Sequence, residues 1–204
     1  MSTTLSNEQL DAFAQQEYLI IDNFLPKQLA YKVLEDAKYW KAEEAFKKAG
    51  IGKLDNLIIK ESYRSDKIKW INKADCLKNT KNYLDIIERL IMEFNRSFFL
   101  SLKDFESMYA IYPEGAFYKK HTDRFAQQPH RIISLVLYLN ENWQETDQGQ
   151  LLIYKENKTI KVNPIFNRLA MFKSELWHEV LPCKTPRYSI TTWLKDQYND
   201  INFL

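Results

Sequence analysis

The sequence predicts a mainly β fold, a double-stranded β-helix of the jelly-roll, cupin-like class buttressed by N-terminal helices. Three observations carry that expectation. Apolar residues recur at helical spacing through the first hundred residues, the period changes to two from Phe105 onward, and the strands so marked are short, numerous and separated by turn residues. Helices first and many strands after leave a sheet with one face for the helices to cover and another to close upon itself. With 204 residues the chain has room for one sizeable core and too little for two enzymatic domains. Residues 1–204 are therefore read as a single domain, 1–104 as mainly helical support and 105–195 as the jelly-roll core.

Residues 6–16 read as a short helix, with Ser6 as cap, Gln9 at the capping-box position and Leu10, Phe13 and Ala14 on one side. A strand over 18–24 follows, ended by Asp22, Asn23 and Pro26. Pro26 opens a second helix in which Leu29, Val33, Ala37 and Trp40 share a face. The lysine-rich stretch 41–60 contains two of the four glycines and reads as a helix end and then a mobile loop. A third helix covers 78–99, its apolar side carrying Tyr83, Ile87, Leu90, Ile91, Phe94 and Phe98. Strands are expected at 105–112, 117–121, 131–139, 151–154, 159–162, 169–172, 177–180 and 187–194.

Composition excludes several classes of function. Lys and Arg total 29 against 27 Asp and Glu, a net +2, so no general field gathers nucleic acid or anionic membrane. The N-terminus lacks the basic, apolar and small-residue signature of a signal peptide. The longest apolar runs, such as 132–139 broken by Ser134, are far below a bilayer span. Cys76 and Cys183 match neither a disulfide framework nor a CxxC pattern. The economical location is the cytoplasm, with both thiols reduced; oligomeric state is not specified by any of these features.

The chemistry centres on three side chains. His121 and Asp123 stand at i and i+2, so on an extended chain both project from one face. The chain holds only three histidines, and of the remaining two, His178 begins a strand-like stretch after a polar turn, whereas His130 reads as a loop histidine. Two imidazoles and a carboxylate suit non-haem iron(II) with open coordination positions. Zinc uses a similar set, and solvated or core-bound polar groups give the same spacing by chance. Arg187 shifts the balance. In the run from Arg187 to Leu194, alternation groups Arg187, Ser189, Thr191 and Trp193 on one face. An arginine opening an apolar, hydroxyl-bearing strand is costly without an anionic partner, and its planar fork suits a ligand carboxylate. On the strand 131–139, Ile133, Leu135, Leu137 and Leu139 face the helices while Ile132, Ser134, Val136 and Tyr138 face the other way. There Tyr138 could stand beside Arg187 and Val136 could flank a small bound acid, unless Tyr138 is an ordinary core aromatic. Lys119 and Lys120 could draw an acidic substrate or simply point outward.

The flanks of these residues resemble a known family. Tyr112-Pro-Glu-Gly-Ala-Phe-Tyr-Lys-Lys-His121-Thr-Asp123, Arg131 to Asn140 with Trp143, Gly149 to Tyr154, Asn167 to Phe172, His178-Glu-Val-Leu-Pro182 and Arg187-Tyr-Ser-Ile-Thr-Thr-Trp193 are similar to the catalytic domain of the prolyl 4-hydroxylase-like iron(II)/2-oxoglutarate oxygenases. Within them the sequence is most similar to the branch of oxygen-sensing prolyl hydroxylases and their bacterial relatives. Upstream, Arg64-Ser65-Asp66-Lys67-Ile-Lys-Trp70-Ile is similar to the Arg-Gly-Asp-Lys segment that precedes the core in that branch.

The resemblance implies His121, Asp123 and His178 as iron ligands and Arg187 with Tyr138 as the pair holding the distal carboxylate of 2-oxoglutarate. It implies Tyr112, Tyr118 and Thr191 as pocket lining and Trp193 as an aromatic on the substrate side. Iron(II), 2-oxoglutarate and oxygen follow as cofactor and cosubstrates, with ascorbate a further candidate. The implied reaction hydroxylates an unactivated carbon, foremost C4 of a proline in a peptide or protein, with release of succinate and carbon dioxide. The same chemistry on a free amino acid or other small molecule, a non-catalytic metal- or peptide-binding jelly roll, and zinc-dependent hydrolysis are the alternatives. Gly149-Gln150 stands where many relatives have Gly-Gly, and Ser65 replaces a glycine; both are turn positions where glycine's freedom could matter. Stretch 41–60 and the turn bearing Arg124, Phe125 and Gln127 are candidates for the substrate edge, with Arg64 and Asp66 as its buttress.

Overall fold

The computed structural model describes residues 5–50 and 62–198. Helix α1 (Asn7–Gln16) starts at the expected capping box: the Gln9 N–H donates to the Ser6 hydroxyl and the Ser6 N–H to the Gln9 side chain. Strand β1 (Tyr18–Ile21) is shorter than the expected 18–24 because the chain turns to meet Asn167. The Phe24 N–H donates to the Asn167 carbonyl at 3.0 Å, and the Leu25 N–H to its side-chain oxygen at 2.9 Å.

Helix α2 (Lys27–Ala42) follows Pro26. Helix α3 (Lys78–Phe98) buries Tyr83, Ile87, Leu90, Ile91 and Phe94 as its periodicity requires. Leu77 at its N-cap offers no side-chain oxygen, and α2 supplies the missing acceptor. The buried Asp36 accepts from the Thr80 N–H at 2.8 Å, the Thr80 hydroxyl at 2.7 Å and the Asn79 amide at 2.9 Å, placing a carboxylate at the positive end of the helix.

Ten further strands follow α2 among the described residues: β2 (Lys47–Lys48), β3 (Lys67–Ile71), β4 (Asp104–Tyr112), β5 (Tyr118–His121), β6 (Arg131–Tyr138), β7 (Leu151–Lys155), β8 (Lys158–Val162), β9 (Leu169–Lys173), β10 (Trp177–Val180) and β11 (Arg187–Lys195). The eight from β4 onward lie within one residue of their expected ends. Strands β2 and β3 do not correspond to any expected element. The stretch 41–60 thus contains a strand as well as a helix end, and its residues 51–60 lie outside the described residues.

The strands form a seven-stranded sheet in the order β1-β9-β6-β11-β4-β3-β2 and a four-stranded sheet in the order β5-β10-β7-β8, antiparallel throughout. Alternation divides the core into two layers. Ile133, Leu135, Leu137, Leu169, Ile190 and Leu194 meet Val33, Ile87, Leu90 and Phe94 of the helices. Val136, Tyr138, Ala170 and Phe172 point the other way and meet Leu151, Ile153, Val162 and Val180 of the smaller sheet. This is the two-sheet jelly-roll arrangement with helices on its outer face. Ile132 breaks the pattern at the strand's beginning, packing with the helix-side layer. No helix among the described residues is long and apolar enough to cross a membrane.

Candidate metal centre

Strands β5 and β10 pair so that His121 and His178 are direct partners, and period-two geometry turns both imidazoles between the sheets. Their ring centroids are 4.2 Å apart. Each ring is fixed by its Nδ1, that of His121 2.7 Å from the Lys119 carbonyl and that of His178 2.9 Å from the Leu176 carbonyl. Both Nε2 atoms are thereby turned toward Asp123, at 3.8 Å from its Oδ1 for His121 and 3.4 Å from its Oδ2 for His178. Ligand atoms of the three residues all lie within 4.8 Å of one another, and all three residues are buried.

Electrostatics poise the group for a cation. Burial and the neighbouring His178 push the His121 imidazole down to about 3, although Asp123 pulls the other way. Burial disfavours the Asp123 carboxylate, yet His178, His121, Arg131 and the Ser134 hydroxyl outweigh it and hold the acid at about 2. At neutral pH the site therefore offers a neutral His121 imidazole and an ionised Asp123 carboxylate, protonation states that metal coordination requires.

The centre lines a cleft of about 330 Å³ whose walls include Tyr112, Tyr118, Val136, Arg187, Thr191 and Trp193. Tyr118 stacks on His121 with centroids 3.5 Å apart. Its other neighbour is Arg64, whose guanidinium lies 4.2 Å from the Tyr118 ring and grips Asp66 through two hydrogen bonds of 2.8 and 2.6 Å. Burial pushes the Tyr118 phenol up to about 12 despite Arg64.

Arg187 is 3% exposed and sits between the rings of Tyr112 and Tyr138, at 4.7 and 4.9 Å. The only hydrogen bond its guanidinium makes among the described residues is a long one of 3.4 Å to the Ser189 hydroxyl, and no carboxylate there pairs with it. Among the described residues, the buried Arg187 Nε, Tyr138 hydroxyl and Trp193 Nε1 have no hydrogen-bond partner. Unmet donors on a buried cation and on the tyrosine beside it, as at Arg187 and Tyr138, are costly unless an acidic ligand completes them. Burial raises the Tyr138 phenol, with Arg187 partly offsetting it, so the hydroxyl stays protonated and able to donate.

Two departures from the family pattern have structural answers. Gly149 has φ +75°, and a Cβ there would stand 2.7 Å from the Cys183 Sγ and 3.3 Å from the Arg187 side chain. This glycine gives Arg187 its berth. Gln150 has no such conformation and tolerates a side chain. Ser65 likewise avoids the left-handed region; its N–H donates to the Phe117 carbonyl and its hydroxyl accepts from the Phe117 N–H, both at 3.1 Å.

The region 107–195 matches the 2OG-Fe(II) oxygenase superfamily model. Human prolyl hydroxylase EGLN3 is 31% identical over 190 residues, covering 88% of this chain and 78% of its own. The chain belongs to the 2OG-Fe(II) oxygenase superfamily. Among solved structures, a Pseudomonas putida prolyl-4-hydroxylase superposes with a TM-score of 0.85 at 34% identity, covering 93% of this chain and 98% of its own. A Trichoplax adhaerens prolyl hydroxylase, solved with a hypoxia inducible factor oxygen degradation domain peptide fragment, gives 0.82 at 30% identity, with 95% of each chain covered. The chemistry of this oxygenase is dioxygenation dependent on iron(II), 2-oxoglutarate and oxygen.

Other expected residues fall in and around the oxygenase cleft. Phe125 lines it, while Gln128 takes the place expected of Gln127. Arg124 is exposed, 3.8 Å from Glu175. Lys120 points outward, its ammonium 4.0 Å from the Tyr154 ring. His130 is an exposed loop residue bonded to Asp196 at 2.8 Å. Sequence reasoning places Ile68 and Trp70 in the upstream motif without expecting them at the site, and both line the cleft. It passed over Arg131, which lies under Trp193 at 3.7 Å and pairs with Glu106. The alternation in Lys67-Ile-Lys-Trp-Ile was the available signal for the first.

Proposed function

We propose that His121, Asp123 and His178 hold the ferrous ion, that Arg187 with Tyr138 docks the distal carboxylate of 2-oxoglutarate, and that the product is a hydroxylated proline in a peptide or protein. The observation that carries the reading is Arg187, a buried guanidinium with no anionic partner among the described residues, lining the same cleft as His121, Asp123 and His178. One carboxylate of a dicarboxylic acid would satisfy it bidentately, leaving the other end for the ion that His121, Asp123 and His178 would hold. Zinc hydrolysis would leave this arginine and Tyr138 without a role.

Iron(II) with 2-oxoglutarate and oxygen supplies the oxidising power to hydroxylate an unactivated carbon, with succinate and carbon dioxide released. The protein's residues bind, orient and keep water out. Tyr112, Tyr118, Val136 and Thr191 shape the cosubstrate's pocket, and Trp193 presents an aromatic edge to the substrate. No general base is required.

The names of the relatives support proline as target and a peptide or protein as its carrier. We further infer that 1–204 works as one unit, with 1–104 supporting the catalytic core of 105–195, and that it acts in the cytoplasm, where two free thiols remain reduced. A peptide-substrate screen by mass spectrometry tests the substrate assignment. The expected result is a gain of one oxygen atom on proline that depends on 2-oxoglutarate. Oxygen incorporated only into free amino acids or another side chain would overturn it.

A further inference from the structure

Asp123 is 7% exposed, and among the described residues the only hydrogen bond to its carboxylate comes from the Ser134 hydroxyl, 2.7 Å from Oδ2. Ser134 is fully buried on β6, across the sheet gap from β5. Its hydroxyl lies in turn 2.8 Å from the hydroxyl of Ser174, also fully buried. Ser174 stands in the turn between β9 and β10, and every polar group it has is used. Its N–H donates to the Ile132 carbonyl at 3.0 Å, and its carbonyl accepts from the N–H groups of Asp123 at 3.0 Å and Arg124 at 2.9 Å. Two residues on, the Leu176 carbonyl meets the His178 Nδ1.

We propose that Ser134 and Ser174 form a positioning pair for the metal centre, fixing the orientation of the Asp123 carboxylate through its Oδ2 and tying it to the turn that aims His178. This inference rests on the ligand assignment above. The physical case is one of counting. Of the roughly four lone-pair sites of a carboxylate the hydroxyl occupies one on Oδ2, which fixes the orientation of the group and leaves the rest for a cation shared with the two histidine Nε2 atoms that face it. One hydroxyl alone is a rotor; the second hydroxyl fixes the first, because each Oγ in the chain limits where the other's proton lies. The two ligands, 55 residues apart in sequence, are thereby set by one turn through its backbone carbonyls and one side chain. Groups that orient metal ligands in this manner typically contribute about 10- to 100-fold to metal affinity.

Calorimetric titration of Mn²⁺ into metal-free full-length protein tests the proposal, using Ser134→Ala, Ser134→Thr, Ser174→Ala and His178→Ala. Ser134→Ala should bind Mn²⁺ about 10- to 100-fold more weakly, and Ser134→Thr, which keeps the hydroxyl, should restore most of the loss. Ser174→Ala should fall between Ser134→Ala and the unaltered protein. The ligand-field spectrum of the Co²⁺-loaded protein should change in Ser134→Ala, a signature that general destabilisation does not produce. Unchanged Mn²⁺ affinity and Co²⁺ spectrum in Ser134→Ala, with binding lost in His178→Ala, would overturn the positioning pair while leaving the ligands in place. Unchanged binding in His178→Ala would overturn the ligand assignment itself. If Ser134→Ala does not fold, Ser174→Ala decides alone, an unaltered Mn²⁺ affinity counting against the proposal.

Discussion

At the scale of single residues the centre is defined by charges that lack their complements. Arg187 has the environment of a ligand-binding cation: two aromatic walls, a glycine cut away to admit it and no acid of its own among the described residues. Arg187→Ala should weaken 2-oxoglutarate binding by roughly 10- to 100-fold, the equivalent of losing about 1.5–3 kcal/mol of charge-assisted hydrogen bonding, while leaving metal affinity nearly unchanged. Equilibrium binding of 2-oxoglutarate to the Mn²⁺-loaded variant measures it. The imidazole of His121 makes a separate prediction for the metal-free protein. Its pKa is depressed from 6.5 to about 3 in the folded state, so the unfolded chain binds more protons throughout that window. Its contribution is complete above 6.5 and is lost as pH falls toward 3. Asp123, lowered from 3.8 to about 2, adds a loss of the same sign at still lower pH. Urea unfolding at neutral pH and at about pH 5 should show the decline, and His121→Gln should flatten the His121 share of it.

At the scale of elements, legibility followed chemistry of short range. Strands β4 to β11 were readable because most carry alternating or continuous apolar residues bounded by turn residues. The capping box of α1 and the proline opening α2 were equally local. Strand β3 was not read as a strand because Lys67 and Lys69 make it look like a solvated loop. In the folded chain Lys69 lays its ammonium 4.0 Å from the Trp40 ring, so the long stem covers apolar surface while the charge rests on an aromatic face. Strand β2, two residues long, is too short for any period to register. Nor could the cap of α3 be read, since Asp36 lies more than forty positions away and serves the helix only through tertiary contact. Asp36→Ala removes three hydrogen bonds and leaves a buried N–H unmet. It should cost about 1–3 kcal/mol of stability by urea unfolding with little change in metal affinity.

At the scale of the whole molecule, the three ligands and their supports come from two sheets. His121 and His178 belong to the smaller one and Asp123 follows it directly, whereas Ser134 and Arg187 belong to the larger. The spacing of these groups is therefore set by how Val136, Tyr138 and Phe172 pack against Leu151, Ile153 and Val180, which no local pattern encodes. For this reason residue types and their spacing nominated His121, Asp123, His178 and Arg187 but could not bring them together without the family resemblance. The supports Ser134, Ser174 and Arg131 were not nominated, since a serine in a strand and an arginine at its start have many uses. The most direct test is succinate formation from 2-oxoglutarate by purified protein with iron(II) and oxygen, measured beside the His121→Ala variant. The unaltered protein should form succinate only when iron is present, and the variant should form none above background; turnover retained in the variant would contradict a reaction centred on these three side chains.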